Sequence, residues 1–121
     1  MEYWTVSELA SGILIRCRGH DKERTVSAAI DRFEKLVANR SGDFSIFADL
    51  CEMTGYESES RQAWQSVFAR HRKRIDTLIL IGARSALIRM GAAAVGAFAG
   101  IPVRFVQSWS ELSDAPRTRA R

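Results

Sequence analysis

Residues 44–64 read FSIFADLCEMTGYESESRQAW. An apolar run, Phe44 to Leu50, empties into an acidic, hydroxyl-bearing turn and then into a helical pattern. In parallel α/β sheets the working surface lies where strands end and helices begin, so this turn is the first place to look for function. A second turn of the same type, IGARS at Ile81–Ser85, follows the next apolar strand. The two turns are therefore expected side by side on one edge of a sheet.

Toward the N-terminus the pattern is strand-like. Over Tyr3–Leu9, Trp4 and Val6 share one face while Thr5 and Ser7 share the other. Ala10-Ser11-Gly12 turns the chain, and Ile13, Ile15 and Cys17 then alternate with Leu14, Arg16 and Arg18, which predicts an antiparallel hairpin. Val26, Ala29, Ile30, Phe33, Leu36 and Val37 recur at helical spacing, with Asp21 or Thr25 as caps at the start and Ser41-Gly42 as the stop.

Toward the C-terminus, a second helix is predicted from about Glu57 to Arg74, burying Ala63, Trp64, Val67, Phe68, His71 and Ile75. Its charges suit the helix dipole: Glu57 and Glu59 open it, and Arg70, Arg72, Lys73 and Arg74 close it. Thr77–Ile81 is apolar after its first residue, as expected for a central parallel strand covered by helices on both faces. A third helix from Ser85 to about Ala99 is rich in small residues, Gly100-Ile-Pro102 breaks it, Val103–Val106 forms the last strand, and Ser108–Leu112 starts a short helix. The prediction is one α/β domain over residues 1–113. It has a mostly parallel sheet of about five strands, an N-terminal antiparallel hairpin and three to four helices, followed by a basic, disordered tail at 114–121.

The chain has 121 residues, enough for one core without staples, and its composition, 46% hydrophobic and 26% charged, is that of an ordinary globular domain. The formal net charge is +4, with Arg117, Arg119 and Arg121 of the tail supplying three of those charges. The body is close to neutral, which argues against nucleic acid as a partner. Cys17 and Cys51 lie far apart with no CxxC spacing, and His20 and His71 fall at no metal-ligand interval from them, so reduced thiols and no metal are expected. The start MEYWTVSELA lacks the marks of a signal peptide, which points to the cytoplasm. The most apolar segment, Ala83–Val106, is interrupted by Arg84, Arg89, Gly91, Gly96, Gly100 and Pro102, so no transmembrane segment is expected.

Catalytic signatures are missing from the sequence. No GxxxxGK[ST] or GxGxxG follows a strand, and neither Ser58 nor Ser85 sits in a GxSxG elbow, so the expectation is a protein with no catalytic residues and no cofactor. The run Arg70-His71-Arg72-Lys73-Arg74 is read as the complement of a helix C-terminus. Gly91, Ala92, Ala94 and Gly96 are read as seating the third helix on its sheet. A homodimer, through those residues or through an exposed sheet edge, stays open. The candidate site is the stretch from Asp49 to Ser60, where Asp49, Glu52, Glu57 and Glu59 surround the hydroxyls of Thr54, Ser58 and Ser60. Those hydroxyls are either helix caps or phosphorylation positions.

The strand FSIFADL with its turn CEMTGYESES, the helix RQAWQSVFARHRKRI, the strand LILIGARS and the small-residue helix beyond resemble the STAS superfamily, whose fold is that of the anti-sigma-factor antagonists. The branch most similar to this pattern is that of small bacterial stand-alone domains described as STAS or SEC14-like. The resemblance implies a signalling module that works by protein–protein interaction. In such members a strand ending in Asp-Leu leads to an Asp-Ser-Ser-Gly turn whose serine is phosphorylated by a partner kinase. Here Asp49-Leu50 matches the strand end and Glu57-Ser58-Glu59 falls where the turn would lie, placing Ser58 at the phosphoacceptor position. Glu59-Ser60 stands in place of the second Ser and the Gly. The implied partner is a regulatory protein, a kinase or an anti-sigma-like factor, contacted by Asp49, Glu52, Tyr56, Glu57, Arg84 and Ser85. The SEC14-like side of the resemblance implies the alternative, a carrier or sensor holding a small apolar ligand between the third helix and the sheet.

Overall fold

The computed structural model describes residues 3–20 and 23–112. Its elements are β1 (Trp4–Glu8), β2 (Gly12–His20), α1 (Glu23–Ala38), β3 (Phe44–Gly55), α2 (Ser58–Arg70), β4 (Ile75–Ile81), α3 (Ala86–Ala99) and β5 (Val103–Val106), with a 3-10 turn at Trp109–Glu111. The five strands lie in the order β1-β2-β3-β4-β5. β1 and β2 form the expected antiparallel hairpin, with Trp4 opposite Cys17 and Val6 opposite Ile15. The other pairings are parallel. This is the single α/β domain with a mixed five-stranded sheet that the pattern predicts.

One expectation about the layers is corrected. All three α-helices share one face of the sheet, where Phe33, Val37, Trp64, Phe68, Ile88 and Val95 meet Ile13, Ile15, Ile46, Leu50, Leu78 and Leu80 in one core. The strands from β2 onward are laid down one after another in the same direction. Crossovers of one hand must then put every connecting helix on the same side. β4 is still apolar at nearly every position because its two faces bury different things. Leu78 and Leu80 face the helices, whereas Ile79 and Ile81 join Leu9, Leu14, Phe47, Val106 and Leu112 in a second, smaller cluster. That opposite face is closed by the C-terminal turn, whose Trp109 stacks on Phe47 with ring centroids 5.8 Å apart.

Boundaries differ from the predicted ones in three places. Thr25 lies inside α1 and so is not its cap. Asp21 and the tail 114–121 lie outside the described residues. α2 ends at Arg70, and Ile75, expected on its inner face, instead opens β4 opposite Phe44. The third difference bears on function, because β3 does not stop at Leu50. It runs to Gly55, since Met53 continues the buried face while Glu52 and Thr54 stay exposed, and β2 extends alongside it with Arg18 opposite Glu52 and Gly19 opposite Met53. The long loop expected between Asp49 and Ser60 is reduced to Tyr56 and Glu57.

The basic run after α2 ties the far end of the sheet together. Arg70 and His71 bind Glu34 of α1, and Arg74 donates to the backbone carbonyls of Arg40 at 2.8 Å and Gly42 at 3.0 Å. Arg72 and Lys73 remain exposed. The small residues of α3 also act within the domain. A Cβ at Gly96 would stand 3.2 Å from Leu78 Cδ2, so the glycine lets α3 sit down on β4. Among the described residues no helix is long and apolar enough to cross a membrane.

Candidate functional site

At the ends of β3 and β4 the two expected turns are held together by one charged hydrogen bond. Arg84 Nε donates to the Cys51 carbonyl oxygen at 2.6 Å, joining the start of the β4–α3 turn to the extended part of β3. Gly82 makes this possible. Its φ of +70° is left-handed, and its missing side chain leaves room for Cys51, whose Cβ would lie 3.4 Å from a Cβ at this position. Ser85 then caps α3, its hydroxyl accepting from the Ile88 N–H at 3.1 Å. Arg84 and Ser85 thus shape the edge, and both remain exposed.

Asp49 does not belong to that exposed edge. It is 6% exposed, and its carboxylate accepts from Trp109 Nε1 at 3.0 Å, Cys51 N at 3.1 Å and Arg16 Nε at 3.3 Å. Burial alone would raise its pKa. The Trp109 indole, the Cys51 N–H and the Arg16 charge outweigh burial and hold the carboxyl below its ordinary value. The expectation that Asp49 shapes an acidic contact for a partner is therefore corrected: its acceptors face inward, where they pin the C-terminal turn to the sheet. The Cys51 thiol is pushed up, first by burial and then by the Asp49 carboxylate.

The hydroxyl candidates separate by burial. Ser60 is 1% exposed and its Oγ has no hydrogen-bond partner, so it is sealed from any modifying enzyme. Thr54 is exposed on β3, and Ser58 is exposed as the first residue of α2. Glu57, not Ser58, occupies the N-cap position, with extended backbone (φ −104°, ψ 152°) and no side-chain cap bond. Ser58 is therefore free of the capping role that its position in the sequence suggests. Glu52 is exposed and pairs with Arg18 at 2.9 Å across the parallel strands, an ion pair of small energetic weight at such a surface.

Tyr56 turns inward. A Cβ at Gly91 would stand 2.5 Å from its Cζ and 2.9 Å from its Cε1, so α3 bears on the tyrosine ring. Tyr56 and Gly91 also line a partly open cavity of about 70 Å³ between the helices and the sheet. Leu50 and Met53 of β3, Trp64 of α2 and Ile88 and Val95 of α3 are also part of its wall, and the surface that the wall presents is apolar. Beneath it Trp64 is packed against Trp4 and Phe33, with ring centroids 5.3 and 6.0 Å away. The sequence signal for this void is the pairing of a helix without bulk with a large ring opposite it. Trp109, the indole that holds Asp49, has no such signal, since the two are separated by 60 residues. Among the described residues no group of His, Cys, Asp or Glu is arranged to hold a metal ion.

No family model matches this chain, and no curated protein matches it in sequence. Among solved structures it is similar to an uncharacterized protein of the DUF3478 family with a SpoIIAA-like fold from Shewanella loihica, with a TM-score of 0.72 at 12% identity. The match covers 94% of this chain and 93% of that one. At that identity the likeness is one of fold, and it agrees with the pattern read from residues 44–85. The chain has a SpoIIAA-like fold, that of the STAS and anti-sigma-antagonist type.

Proposed function

We propose that this protein is a non-catalytic, cytoplasmic regulatory module that binds another protein through the edge formed where β3 and β4 end, with phosphorylation of Ser58 releasing that partner. The observation that carries this reading is the exposure of Ser58 at the first position of α2, next to an N-cap without a side-chain bond. A phosphate there would add up to about two negative charges. The positive end of the helix favours them, while Glu57 and Glu59 on either side repel them, so the charge of this edge changes sharply without unfolding the helix. Thr54 is the second exposed hydroxyl at this edge, and Glu52, Arg84 and Ser85 supply its polar contacts. A kinase or an anti-sigma-like factor is the class of partner that suits such a switch. The test is intact-mass analysis of protein from its native cell together with affinity capture by wild type and Ser58→Asp. The reading expects a phosphate on Ser58 and loss of a stoichiometric protein from the Asp variant. No phosphate in any condition, with equal capture by both, would end it.

The cavity favours a second reading, a carrier or sensor of a small apolar molecule. Its volume of about 70 Å³ is roughly half that of the ~150 Å³ apolar cavity known to take up benzene, so a longer ligand would extend out through the opening. Native mass spectrometry after gentle purification separates the readings. A co-purifying small molecule supports the carrier, and a stoichiometric protein supports the module.

A further inference from the structure

We infer that the cavity between the helices and the sheet takes the chain of a fatty acid and that Arg61 receives its carboxylate, a ligand class that rests on the carrier reading of this cavity. Among the described residues that line the cavity, Arg61 of α2 is the one that carries a charge. The surface presented there is apolar, so the arginine lends the wall its aliphatic stem and keeps its guanidinium outside that surface, as long cationic side chains do on apolar ground. The residue is half-buried, and among the described residues its guanidinium has no hydrogen bond or ion pair. The other half-buried arginines of the described chain are all occupied. Arg16 pairs with Asp49, Arg40 with Glu8, and Arg74 donates to the Gly42 carbonyl.

The room available decides the tail. About 70 Å³ is too little for a ring system or a pair of acyl chains, since a cavity of ~150 Å³ is what takes up a single benzene. One unbranched chain enters end-on through the opening and leaves its head at the margin of the wall. The charge there decides the head. A guanidinium binds a carboxylate through two parallel hydrogen bonds, and a partly enclosed pair is screened less than one in open water. No Asp or Glu lines the cavity among the described residues, so nothing in the wall repels an anionic head or occupies the arginine in its place. Trp64, three residues on and so on the same side of α2, is 5% exposed, and its Nε1 has no hydrogen-bond partner. Buried donors are seldom left so, and this one stands in the same wall as the unpaired arginine. A pure hydrocarbon would leave both donors unused, and an amine would set its charge against Arg61.

The test keeps the tail constant and changes the head. Decanoate, decanol, decyltrimethylammonium and decyl phosphate are titrated by calorimetry into the whole chain at neutral pH. Decanoate should bind saturably and about tenfold or more tighter than decanol, with decyltrimethylammonium the weakest of the four. Arg61→Met keeps an unbranched apolar stem in the wall and removes the charge. It should bring decanoate to the affinity of decanol and leave decanol itself unchanged, with far-UV circular dichroism confirming that the variant folds. The comparison of heads on wild type needs no variant. Binding of neither decanoate nor decanol overturns the carrier reading and the fatty acid together. Decanol binding as tightly as decanoate, or a preference for decanoate that survives Arg61→Met, overturns the fatty acid alone and leaves a neutral apolar ligand in the cavity. Tighter binding of decyl phosphate than of decanoate also overturns it, and would assign the head to a phosphate.

Discussion

Replacing Gly91 by alanine sets two effects of opposite sign against each other. In a helix interior, Ala is favoured over Gly by about 1 kcal/mol. Here the added methyl would lie 2.5 Å from Tyr56 Cζ and 2.9 Å from Cε1, with the hydroxyl nearer still. A rigid ring cannot yield that much space without moving as a whole, and overpacking of this kind costs about 1–3 kcal/mol. Gly91→Ala alone should therefore lose about 1 kcal/mol. Tyr56→Ala should lose about 2 kcal/mol, less than a fully buried aromatic would, because the ring is half-buried. In the Tyr56→Ala background the obstruction is gone, and Gly91→Ala should become stabilising by about 1 kcal/mol. The double-mutant cycle then closes with a coupling of about 2 kcal/mol, well above the additivity error of about 0.5 kcal/mol. Urea denaturation of the four proteins at neutral pH measures it, with unchanged m-values required for the comparison. If Gly91→Ala stabilises equally in both backgrounds, Tyr56 does not bear on α3, and the wall described for the cavity is wrong.

Three further outcomes follow from the same geometry. Asp49 has a lowered pKa in the folded chain, so its contribution to stability is present above the ordinary unfolded value of about 3.9 and is lost as pH falls through the lower folded value. An acid titration followed by the Trp fluorescence shift should therefore show the C-terminal turn loosening at low pH in wild type, and already at neutral pH in Asp49→Asn. Identical profiles for the two proteins would contradict the role given to Asp49. Ser85→Ala should cost about 1 kcal/mol through loss of the α3 cap, whereas Ser58→Ala should stay within about 0.5 kcal/mol, as thermal unfolding can measure. Gly82→Ala, which forces a left-handed φ and meets Cys51, should cost about 1–3 kcal/mol in the same assay. A neutral result there would remove the packing argument for the Arg84–Cys51 contact.

Strand and helix identities were legible in the sequence because each element carries its own periodicity. The apolar alternation of β1 and β2, the stripe from Val26 to Val37 and the saturated run at Thr77–Ile81 depend on burial alone. The side of the sheet taken by each helix was not legible. An apolar β4 is equally compatible with helices on both faces and with helices on one face plus a C-terminal flap, and only the strand order separates these. The end of β3 was misplaced for a related reason: Glu52 and Thr54 look like turn residues until β2 is seen to extend beside them. At the site, Ser58 is exposed at the start of α2 and Arg84 at the start of the β4–α3 turn, positions that their places in the sequence after a strand determine. Asp49 was turned inward by Trp109, a contact between distant segments that no local pattern encodes. The same holds for the sealing of Ser60, which faces the core one turn before Trp64.

The claim that the β3–β4 edge is a phosphorylation-gated docking surface is tested most directly by quantitative affinity capture from the native cell. Wild type, Ser58→Ala and Ser58→Asp should be used as baits at equal loading. Wild type and the Ala variant should recover the same protein in stoichiometric amount, and the Asp variant should recover little of it. Equal recovery by all three baits would contradict the switch.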